Sequence, residues 1–578
     1  MTSLRLYAAQ INPTVGDFKG NYKIIKSFID DAKSKQADII AFPELSLTGY
    51  PPEDLLLKPA FIEDNLKYLE KVKGLSENIV IILGFANRDQ YLYNSAAVMH
   101  DGEIASTYNK QFLPNYSVFD EERYFQKGSN NLVYAVGDIL VGVNICEDIH
   151  YSSGPTKAQA ILGGAKLIIN ISASPYHIGK SFEREKILFT RAVDNRVNIM
   201  YVNMVGGQDE LVFDGSSLIM DEKGQILAKA KSFDQDAVVF DLDTSNVATS
   251  RLQDPKYKNQ RSKMSETDTP VPIINIKHNI KDKKRLAIKK EDNQTYIKEQ
   301  EVFKALILGT RDYILKNSFK KVVLGLSGGV DSALVATVAA FSLGKENVTA
   351  AMMPSLFSSE SSIKDSEKLI KSLGINKVTI PITIVYKSYL ESLKRQLKTE
   401  EINITKENIQ ARVRGNILMA MANEHNWLVL ATGNKSEISV GYCTLYGDMV
   451  GGFSPIKDVY KTMVYSICKY INKKYNGLIP ENIISKAPSA ELKPEQKDED
   501  RLPKYGLLDP ILKAYIEEEK NFSEIINMGF EKELVKSVIN MVDFNEYKRR
   551  QGAPGIKITS RAFGKDRRYP ITNKFKLP

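Results

Sequence analysis

Short apolar runs alternate with amphipathic segments over residues 1–245. The runs have the length and the β-branched content of buried strands, and the segments between them, such as NYKIIKSFIDDAKSK, carry apolar residues at helical spacing. The predicted strands are LRLYAAQ (4–10), ADIIAFPE (37–44), NIVIILGFA (78–86), ILVGVNIC (139–146), KLIINISA (166–173) and VNIMYVNMV (197–205). The pattern predicts an α/β domain over residues 1–245, with sheets covered by helices.

The alternation is lost over residues 246–295 and returns after them. TSRLQDPKYKNQRSKMSETDTPVP and KHNIKDKKRLAIKKEDNQ are polar and rich in lysine, with only the short apolar VPIINI between them. We interpret this segment as a linker or extended arm. A second α/β domain is predicted over residues 296–578, where the helix YIKEQEVFKALILGTRDYILKN precedes the strand KVVLGLSG (321–328).

Composition narrows the class of protein. The chain of 578 residues is 43% hydrophobic and 26% charged, which is typical of globular proteins. Its three cysteines lie far apart, which excludes a disulfide framework and favours a reducing compartment. We find no secretory signal and no apolar run of about 18 residues, so we expect a cytoplasmic protein without a membrane partner. A net charge of +9 is small for this length, and no RNA-binding motif accompanies it, so we expect no nucleic-acid partner.

Residues 327–332 read SGGVDS and stand between a predicted strand and a helix. The glycine pair lets the backbone turn sharply and approach an anion, and the helix that follows directs free N–H groups at a phosphate. The loop lacks the GK[ST] ending of a Walker A motif, which disfavours phosphoryl transfer in that style. The motif therefore predicts a nucleotide site of another kind.

SGGVDS in this position resembles the loop of the ATP pyrophosphatase superfamily, whose members cleave ATP between the α and β phosphates and adenylate a substrate. The resemblance implies that Asp331 holds Mg²⁺ against the departing pyrophosphate, as a hard oxygen ligand for a hard cation. It also implies ATP contacts along the loop, from Gly325, Leu326, Ser327, Gly328, Gly329, Val330, Asp331 and Ser332.

Further blocks of the second domain resemble NAD synthetases. They are MMPSLFSSESSIKDSEKLIKSLGI (352–375), residues 407–462 from ENIQARVRGN to DVYKT, and KRRQGAPGIKITSRAFGKDRRYP (548–570). The resemblance implies a doubly wound parallel sheet of Rossmann-like type. It assigns Arg412 and Thr432 to ATP, Glu437 to Mg²⁺ and substrate, and the deamido-NAD site to Asn408, Glu437, Asp448, Lys461 and Lys548.

In the first domain, GVNICEDIHY places Cys146 at a strand end before two acids, which should keep a thiol protonated. Two other strand ends carry Glu44, in AFPELSLTGY, and Lys110, in TYNKQFLPNY. Lys110 can supply compensating charge and stabilise an oxyanion, and Glu44 can take the thiol proton. This Glu, Lys and Cys set resembles the nitrilase superfamily, which implies an αββα sandwich.

The same resemblance adds residues around the three. It implies that Glu121 is a second acid near the thiol, although Asp120 and Glu122 adjoin it and are not distinguished from it by the sequence. It assigns the grip on glutamine to Tyr116, Ser174 and Lys180.

The fused order of the two domains resembles the glutamine-dependent NAD synthetases from end to end. The resemblance implies that glutamine yields glutamate and ammonia at the thiol, while ATP and Mg²⁺ activate deamido-NAD at the second site for amidation to NAD. We expect an ammonia channel between the two sites, because free ammonia would be protonated in solution. The resemblance also implies a homo-oligomer built through dimers of the synthetase domain.

Three other functions remain as alternatives. The first is amidation of another acid, which the MPSLFSS and RAFGKDRRYP blocks disfavour. A tRNA-modifying member of the superfamily is a second alternative, but sulfur-transferring versions need cysteines near the loop, and none lies between residues 147 and 442. A scaffold without activity is hard to reconcile with the complete Glu, Lys and Cys set.

Overall fold

The structure is a computed structural model that describes residues 3–280, 296–399 and 401–575. The chain forms two compact units, residues 1–208 with 213–295 and residues 296–578 with 209–212. Within the three described ranges, no helix is long and apolar enough to cross a membrane.

Residues 3–280 are dominated by strands. Their bounds are β1 Ser3–Gln10, β2 Ile39–Ala41, β3 Val80–Arg88, β4 Leu92–His100, β5 Glu103–Asn109, β6 Val133–Val136, β7 Ile139–Ile145, β8 Leu167–Ser172, β9 Asn198–Asn203, β10 Val205–Gln208, β11 Leu211–Asp214, β12 Leu218–Met220, β13 Ile226–Lys229, β14 Asp236–Asp243 and β15 Ile273–Ile276. The helices are α1 Phe18–Ser34, α2 Pro59–Lys73, α3 Pro155–Lys157, α4 Lys180–Asn195, α5 Ser245–Gln253 and α6 Pro255–Thr267.

Two sheets pack face to face in the first unit. One has the strand order β14-β1-β2-β3-β4-β5 and the other the order β13-β12-β9-β8-β7-β6-β15. Alternate residues of β1 show why two layers form: Leu4 and Leu6 belong to the apolar cluster shared by both sheets, while Tyr7 belongs to the cluster under α1. Ile168 and Leu188 belong to a third cluster, which joins the second sheet to α4. The four layers form the αββα sandwich that the sequence predicts.

The predicted arm contains more regular structure than its composition suggests. Residues 245–267 form α5 and α6, and β15 extends the second sheet by pairing in parallel with β6. Asp254 caps α6 by accepting from the N–H of Lys256, and Pro255 occupies its first turn. The sequence pattern misses these helices because they lie on the surface, with only Val247 and Tyr257 buried. Residues 281–295 of the arm lie outside the described residues.

The second unit is built around a four-stranded parallel sheet. Its strands are β16 Val322–Gly325, β17 Val348–Met352, β18 Asn376–Thr379 and β19 Leu428–Leu430, in the order β18-β17-β16-β19. Its helices are α7 Lys298–Lys316, α8 Val330–Leu343, α9 Glu360–Leu373, α10 Thr383–Leu393, α11 Ile404–His425, α12 Lys435–Val440, α13 Lys461–Lys474, α14 Glu481–Ser485, α15 Tyr505–Ile516, α16 Phe522–Asn527, α17 Lys532–Phe544 and α18 Glu546–Arg549.

This strand order places a binding crevice in the second unit. The chain runs outward from β16 to β17 and β18 and then returns to β19 on the other side of β16. In parallel sheets, ligands bind at the carboxyl ends of the strands where the order reverses in this way. SGGVDS follows β16 at that point. The doubly wound parallel sheet predicted for this half is therefore present.

Candidate active sites

Three strands of the first unit bring the predicted thiol site together. Glu44 comes shortly after β2, Lys110 directly after β5 and Cys146 directly after β7. All three are buried, with exposed fractions of 0%, 1% and 6%. Cys146 has a positive φ of 43° and starts the 3₁₀ turn Cys146–Ile149. This backbone conformation is costly for a residue with a Cβ, and such strain concentrates at active sites.

Lys110 is held between two carboxylates. Its Nζ lies 2.6 Å from Oε1 of Glu44 and 2.8 Å from Oε2 of Glu121. Asn94 Nδ2 donates to Oε1 of Glu44 at 2.7 Å, and the backbone N–H of Ala173 donates to Oε2 at 2.9 Å. Glu44 is thus fixed in position with its two oxygens occupied by donors from different strands.

Of the three adjacent acids at residues 120–122, Glu121 is the one that contacts Lys110. The hydroxyl of Tyr50 also donates to it, at 2.9 Å. Burial raises the pKa of Glu121 to about 7, although Lys110 opposes this shift. Glu122 instead pairs with Lys127 at 2.8 Å. Glu121 can therefore exchange a proton near neutral pH beside the predicted catalytic lysine.

The Cys146 thiol is protonated in this arrangement. Burial raises its pKa well above the usual range, and the negative charge of Glu44 raises it further. Lys110 lowers the pKa, but its charge is shared with the carboxylates of Glu44 and Glu121. The compensation by Lys110 expected from the sequence is thus outweighed. A base must remove the thiol proton as the nucleophile attacks.

Asp148, two residues after Cys146, connects the turn at the thiol to the backbone that follows β5. It accepts hydrogen bonds from the backbone N–H groups of Gln111 and Phe112, both at 3.0 Å. These bonds tie the end of β5, where Lys110 stands, to the turn that begins at Cys146. Burial raises the pKa of Asp148 to about 6, although the backbone hydrogen bonds oppose the shift.

Glu147, next to the thiol, lies among the residues predicted to grip glutamine. The hydroxyl of Tyr116 donates to its Oε2 at 3.0 Å, and the charge of Lys180 lowers its pKa, against a larger rise caused by burial. Ser174 is buried and its backbone N–H donates to Asn203 at 2.9 Å. Sequence reasoning did not select Glu147. Its place directly after the nucleophile, in a turn rather than a strand, is the signal that was available.

A cavity of about 300 Å³ lies in the second unit at the carboxyl ends of β16 and β19. It is lined by the whole stretch of residues 325–332 that the sequence assigns to ATP, and also by Thr432, Glu437, Asp448 and Lys461. All of the predicted nucleotide residues except Arg412, and most of the predicted substrate residues, therefore surround one space.

The loop at the cavity has the geometry that close approach to a phosphate requires. Gly328 has a φ of +82°, and a Cβ at this position would come within 2.5 Å of the carbonyl oxygen of Ser362. The Ser332 hydroxyl donates to the carbonyl of Gly329 at 3.0 Å, which closes the turn. α8 begins at Val330, so its unpaired N–H groups are at the cavity wall.

Two carboxylates and an ammonium meet beside the loop. Lys461 Nζ lies 2.5 Å from Oδ2 of Asp331 and 2.9 Å from Oε1 of Glu437. Asn434 donates to the other oxygen of Asp331 at 3.0 Å. Burial raises the pKa of Glu437 to about 7, although Lys461 opposes this shift.

The donor set fits Mg²⁺ bound together with a nucleotide. Among the described residues, no cluster of three or more His, Cys, Asp or Glu side chains could hold a metal ion alone. Mg²⁺ commonly takes only one or two carboxylates and completes its octahedron with phosphate oxygens and water. Asp331 and Glu437 provide such a pair, and both already converge on the cationic group of Lys461.

Three predicted residues do not line the cavity. Arg412 is exposed, and its Nε donates to the carbonyl of Leu445 at 3.1 Å. Asn408 accepts from the hydroxyl of Thr444 at 2.7 Å. Lys548 donates to backbone carbonyls, including that of Gly441 at 2.7 Å. Their assignment to substrates remains a prediction from the resemblance.

Arg414 lines the cavity and was missed by sequence reasoning. It follows Arg412 by two residues on α11, and its Nε donates to the carbonyl of Met353 at 3.1 Å. Burial lowers its pKa to about 10, and the charge of Glu491 opposes the shift. The motif QARVRGN contains both arginines, so the sequence gives the pair but not which of them faces the nucleotide.

A segment before α15 also contributes to the cavity. Lys486, Glu491 and Asp498 line it, and Lys486 Nζ lies 2.6 Å from Glu491 Oε1. The hydroxyl of Tyr505 donates to Asp498 at 2.9 Å. The sequence of this segment is polar and lacks periodicity, which is why sequence reasoning did not select it.

Each half of the chain matches the model of a known protein family. The carbon-nitrogen hydrolase model matches residues 5–251, and the NAD synthase model matches residues 302–552. A glutamine-dependent NAD(+) synthetase of Thermotoga maritima is 48% identical over 100% of both chains. One of Aquifex aeolicus is 47% identical over 99% of this chain and 100% of its own. The chain belongs to the glutamine-dependent NAD(+) synthetase family.

A solved structure supports the assignment to the glutamine-dependent NAD(+) synthetase family. The chain of the Acinetobacter baumannii enzyme, determined in complex with adenosine diphosphate, is 39% identical, with a TM-score of 0.74 and full coverage of both chains. The family and the fold class predicted from the sequence are confirmed, and the chain is an enzyme of the ligase class.

Proposed function

We propose that the chain makes NAD from deamido-NAD, with glutamine as the nitrogen donor and ATP as the activating substrate. The observation that carries this proposal is the pair of sites: a buried thiol with Lys110 and Glu44 in one unit, and a phosphate loop with Asp331, Glu437 and Lys461 in the other. The comparisons support it, because relatives with this name align over the full length of the chain.

In the first half-reaction, Glu44 accepts the proton of Cys146 as the sulfur attacks the side-chain amide carbon of glutamine. The ammonium group of Lys110 stabilises the oxyanion that forms on the amide oxygen. Glu44 returns the proton to the leaving nitrogen, which departs as ammonia. Water, deprotonated by Glu44, then hydrolyses the thioester and releases glutamate.

Recognition of glutamine is assigned to the polar groups around the thiol. Lys180 complements the α-carboxylate, and Glu147, oriented by the Tyr116 hydroxyl, complements the α-ammonium. Ser174 contributes a hydroxyl beside the residue whose N–H holds Glu44. Glutamine would thus be distinguished from simple amides by its charged end.

In the second half-reaction, the nicotinate carboxylate of deamido-NAD attacks the α-phosphorus of ATP, and pyrophosphate leaves. The loop N–H groups and Lys461 bind the phosphates. Asp331 and Glu437 would hold Mg²⁺, which when bound offsets the negative charge of the polyphosphate. Ammonia then attacks the adenylated carboxyl carbon and displaces AMP, which gives NAD.

Replacement of the thiol tests this division of labour. We expect Cys146→Ala to lose NAD synthesis from glutamine by at least about 10³-fold, because covalent catalysis is removed. Synthesis from ammonium chloride should stay within about twofold of the parent enzyme, since the second site is intact. Both activities are measured as NAD formed, and circular dichroism checks the fold. Loss of both activities in a folded variant would contradict the proposal.

We also propose that the chain forms a homo-oligomer through its synthetase unit. This rests on the family resemblance and is supported by exposed apolar side chains on α10, where Ile384, Val385 and Tyr389 are 79%, 41% and 45% exposed. Light scattering should give a mass that is a multiple of 64.9 kDa. Ile384→Glu should lower that mass, and a monomeric parent chain would contradict the proposal.

A further inference from the structure

Two short elements of the second unit carry groups that meet at the phosphate loop. Glu437 lies in the first turn of α12, and Lys461 is the first residue of α13. A backbone hydrogen bond joins the first residue of α12 to the loop before α13, from the N–H of Lys435 to the carbonyl of Val459 at 2.9 Å. How far apart Glu437 and Lys461 lie depends on how firmly these two helix starts are fixed to each other.

A single carboxylate on a third helix contacts both helix starts. Asp509, on α15, accepts a hydrogen bond from the Ser436 hydroxyl through Oδ1 at 2.5 Å. Its Oδ2 accepts from the backbone N–H and the hydroxyl of Thr462, at 2.9 and 2.8 Å. Ser436 directly precedes Glu437, and Thr462 directly follows Lys461. The carboxylate therefore joins the neighbours of the two functional residues.

The same contacts complete the start of α13. Its N-cap residue, Tyr460, makes no side-chain hydrogen bond to the helix. The free N–H of Lys461 donates to the Ser436 hydroxyl at 2.9 Å, and that of Thr462 donates to Asp509. A buried carboxylate at a helix N-terminus is favoured by the helix dipole as well as by these donors.

Asp509 does not belong to the cavity wall. It is buried, with 5% of its surface exposed, and it is absent from the described residues that line the cavity. Both of its oxygens are occupied by donors from α12 and α13. Any effect on the reaction must pass through the helices that it holds.

We propose that Asp509 is a positioning residue of the synthetase reaction, which fixes α12 against α13 so that Glu437 and Lys461 converge on Asp331. The inference rests on the roles proposed above for these three residues. Outer partners that orient metal ligands commonly contribute 10- to 100-fold to metal affinity. Asp509 holds the elements on which Glu437 and Lys461 stand, and its effect belongs in the same range.

The test compares Asp509→Asn with Asp543→Asn in the full-length chain. Asp543 is a matched control, because its carboxylate accepts from the Tyr515 hydroxyl at 2.9 and 3.0 Å within the same helical layer and contacts neither α12 nor α13 in the described hydrogen bonds. Mn²⁺ binding in the presence of a non-hydrolysable ATP analogue, followed by electron paramagnetic resonance, is a readout that does not depend on turnover.

For Asp509→Asn we expect about tenfold weaker Mn²⁺ binding and about tenfold more Mg²⁺ for half-maximal ammonium-dependent synthesis. Asp543→Asn should leave the Mn²⁺ affinity and the Mg²⁺ requirement within about twofold of the parent values, even if it lowers the unfolding midpoint as much as Asp509→Asn does. Ser436→Ala removes the hydrogen bond from Ser436 to Asp509 and should change both quantities in the same direction. It therefore replaces Asp509→Asn if that variant does not fold.

Two outcomes would overturn the inference: unchanged Mn²⁺ and Mg²⁺ dependence in folded Asp509→Asn and Ser436→Ala, or equal changes in Asp543→Asn. Asp331→Asn separates this result from a failure of the proposed site. If Asp331→Asn abolishes Mn²⁺ binding while Asp509→Asn does not weaken it, only the positioning role is wrong. If Asp331→Asn binds Mn²⁺ normally, the proposed metal residues are wrong as well.

Discussion

At the scale of single residues, the surroundings of Cys146 favour its thiol over its thiolate. Lys110 contributes positive charge, but Glu44 and Glu121 both lie within 3 Å of its Nζ and neutralise it. Burial then dominates and raises the pKa of the Cys146 thiol. In the proposed mechanism, Glu44 is therefore required as a base in the attack itself, because positive charge near the sulfur is not sufficient.

The two arginines of QARVRGN give competing predictions for the nucleotide site. Arg414→Ala should raise the KM for ATP by about tenfold or more, because its half-buried guanidinium at the cavity wall gains an anionic partner when ATP binds. Arg412→Ala, two residues away on the same helix and exposed, serves as the matched control and should change this KM by less than about threefold.

Steady-state kinetics with ammonium as nitrogen donor measures both variants without involving the thiol site. A larger effect of Arg412→Ala than of Arg414→Ala would mean that the residue chosen from the sequence is the correct one. It would also mean that the cavity wall at Arg414 serves another ligand.

Residue identity was more predictable than residue orientation. Cys146, Lys110 and Glu44 were found because the sequence places each at a strand end and because together they resemble the nitrilase superfamily, although the strand before Lys110 was not given bounds. It did not show that Asp148 points back toward β5 while Glu147 turns to Tyr116. A one-residue difference inside a 3₁₀ turn reverses a side chain, and no local pattern records that choice.

At the scale of elements, the longer apolar runs were found from the sequence, and several short or partly polar strands were not. All six predicted strands of the first domain are present, with ends within a few residues. β4 was not predicted and β5 was predicted only through its end at Lys110, because LYNSAAVMH and EIASTYN mix polar and apolar residues without clean alternation. Their positions follow from pairing with β3, which is a tertiary property.

The turn after Cys146 also affects how the first unit responds to acid. Burial lowers the pKa of His150 to about 4, and the nearby charges of Lys180 and Arg184 contribute. The unfolded chain binds this proton near pH 6.5, so between about pH 4 and 6.5 the unfolded state holds more protons. The contribution of His150 to the stability of the first unit should therefore be complete above about pH 6.5 and fall as the pH drops, by about 2 kcal/mol at pH 5.

We expect His150→Gln to lose less stability than its parent when the pH is lowered from about 7 to about 5. Both chains carry Cys146→Ala, so that glutamine binds without turnover. The unfolding transition that glutamine shifts to higher temperature is then identified as that of the first unit. His425→Gln, in the second unit, is the control. Equal pH effects in the parent and in His150→Gln would show that another group is responsible.

At the scale of the whole molecule, one chain joins a site that makes ammonia to a site that consumes it. The pKa of the ammonium ion lies above neutrality, so ammonia released into solution would mostly be protonated to unreactive ammonium. We predict that glutamine labelled with ¹⁵N in its amide gives NAD that retains at least about 90% of the label in the presence of excess unlabelled ammonium. Mass spectrometry of NAD measures this.

Cys146→Ala supplied with the same mixture is the control, and its product should carry only unlabelled nitrogen. If the label in the NAD made by the parent enzyme falls to the proportion in the medium, the two sites exchange ammonia through bulk solvent and the predicted channel does not exist.

The protonated and buried sulfur of Cys146 has a consequence for survival under oxidative stress. Thiolates react with peroxides and electrophilic drugs far faster than thiols do. An idle molecule should therefore withstand hydrogen peroxide or iodoacetamide for long periods and become vulnerable only while it is turning over. A covalent inhibitor of Cys146 would need to resemble the amino-acid substrate, because the sulfur becomes reactive only when it attacks a bound substrate.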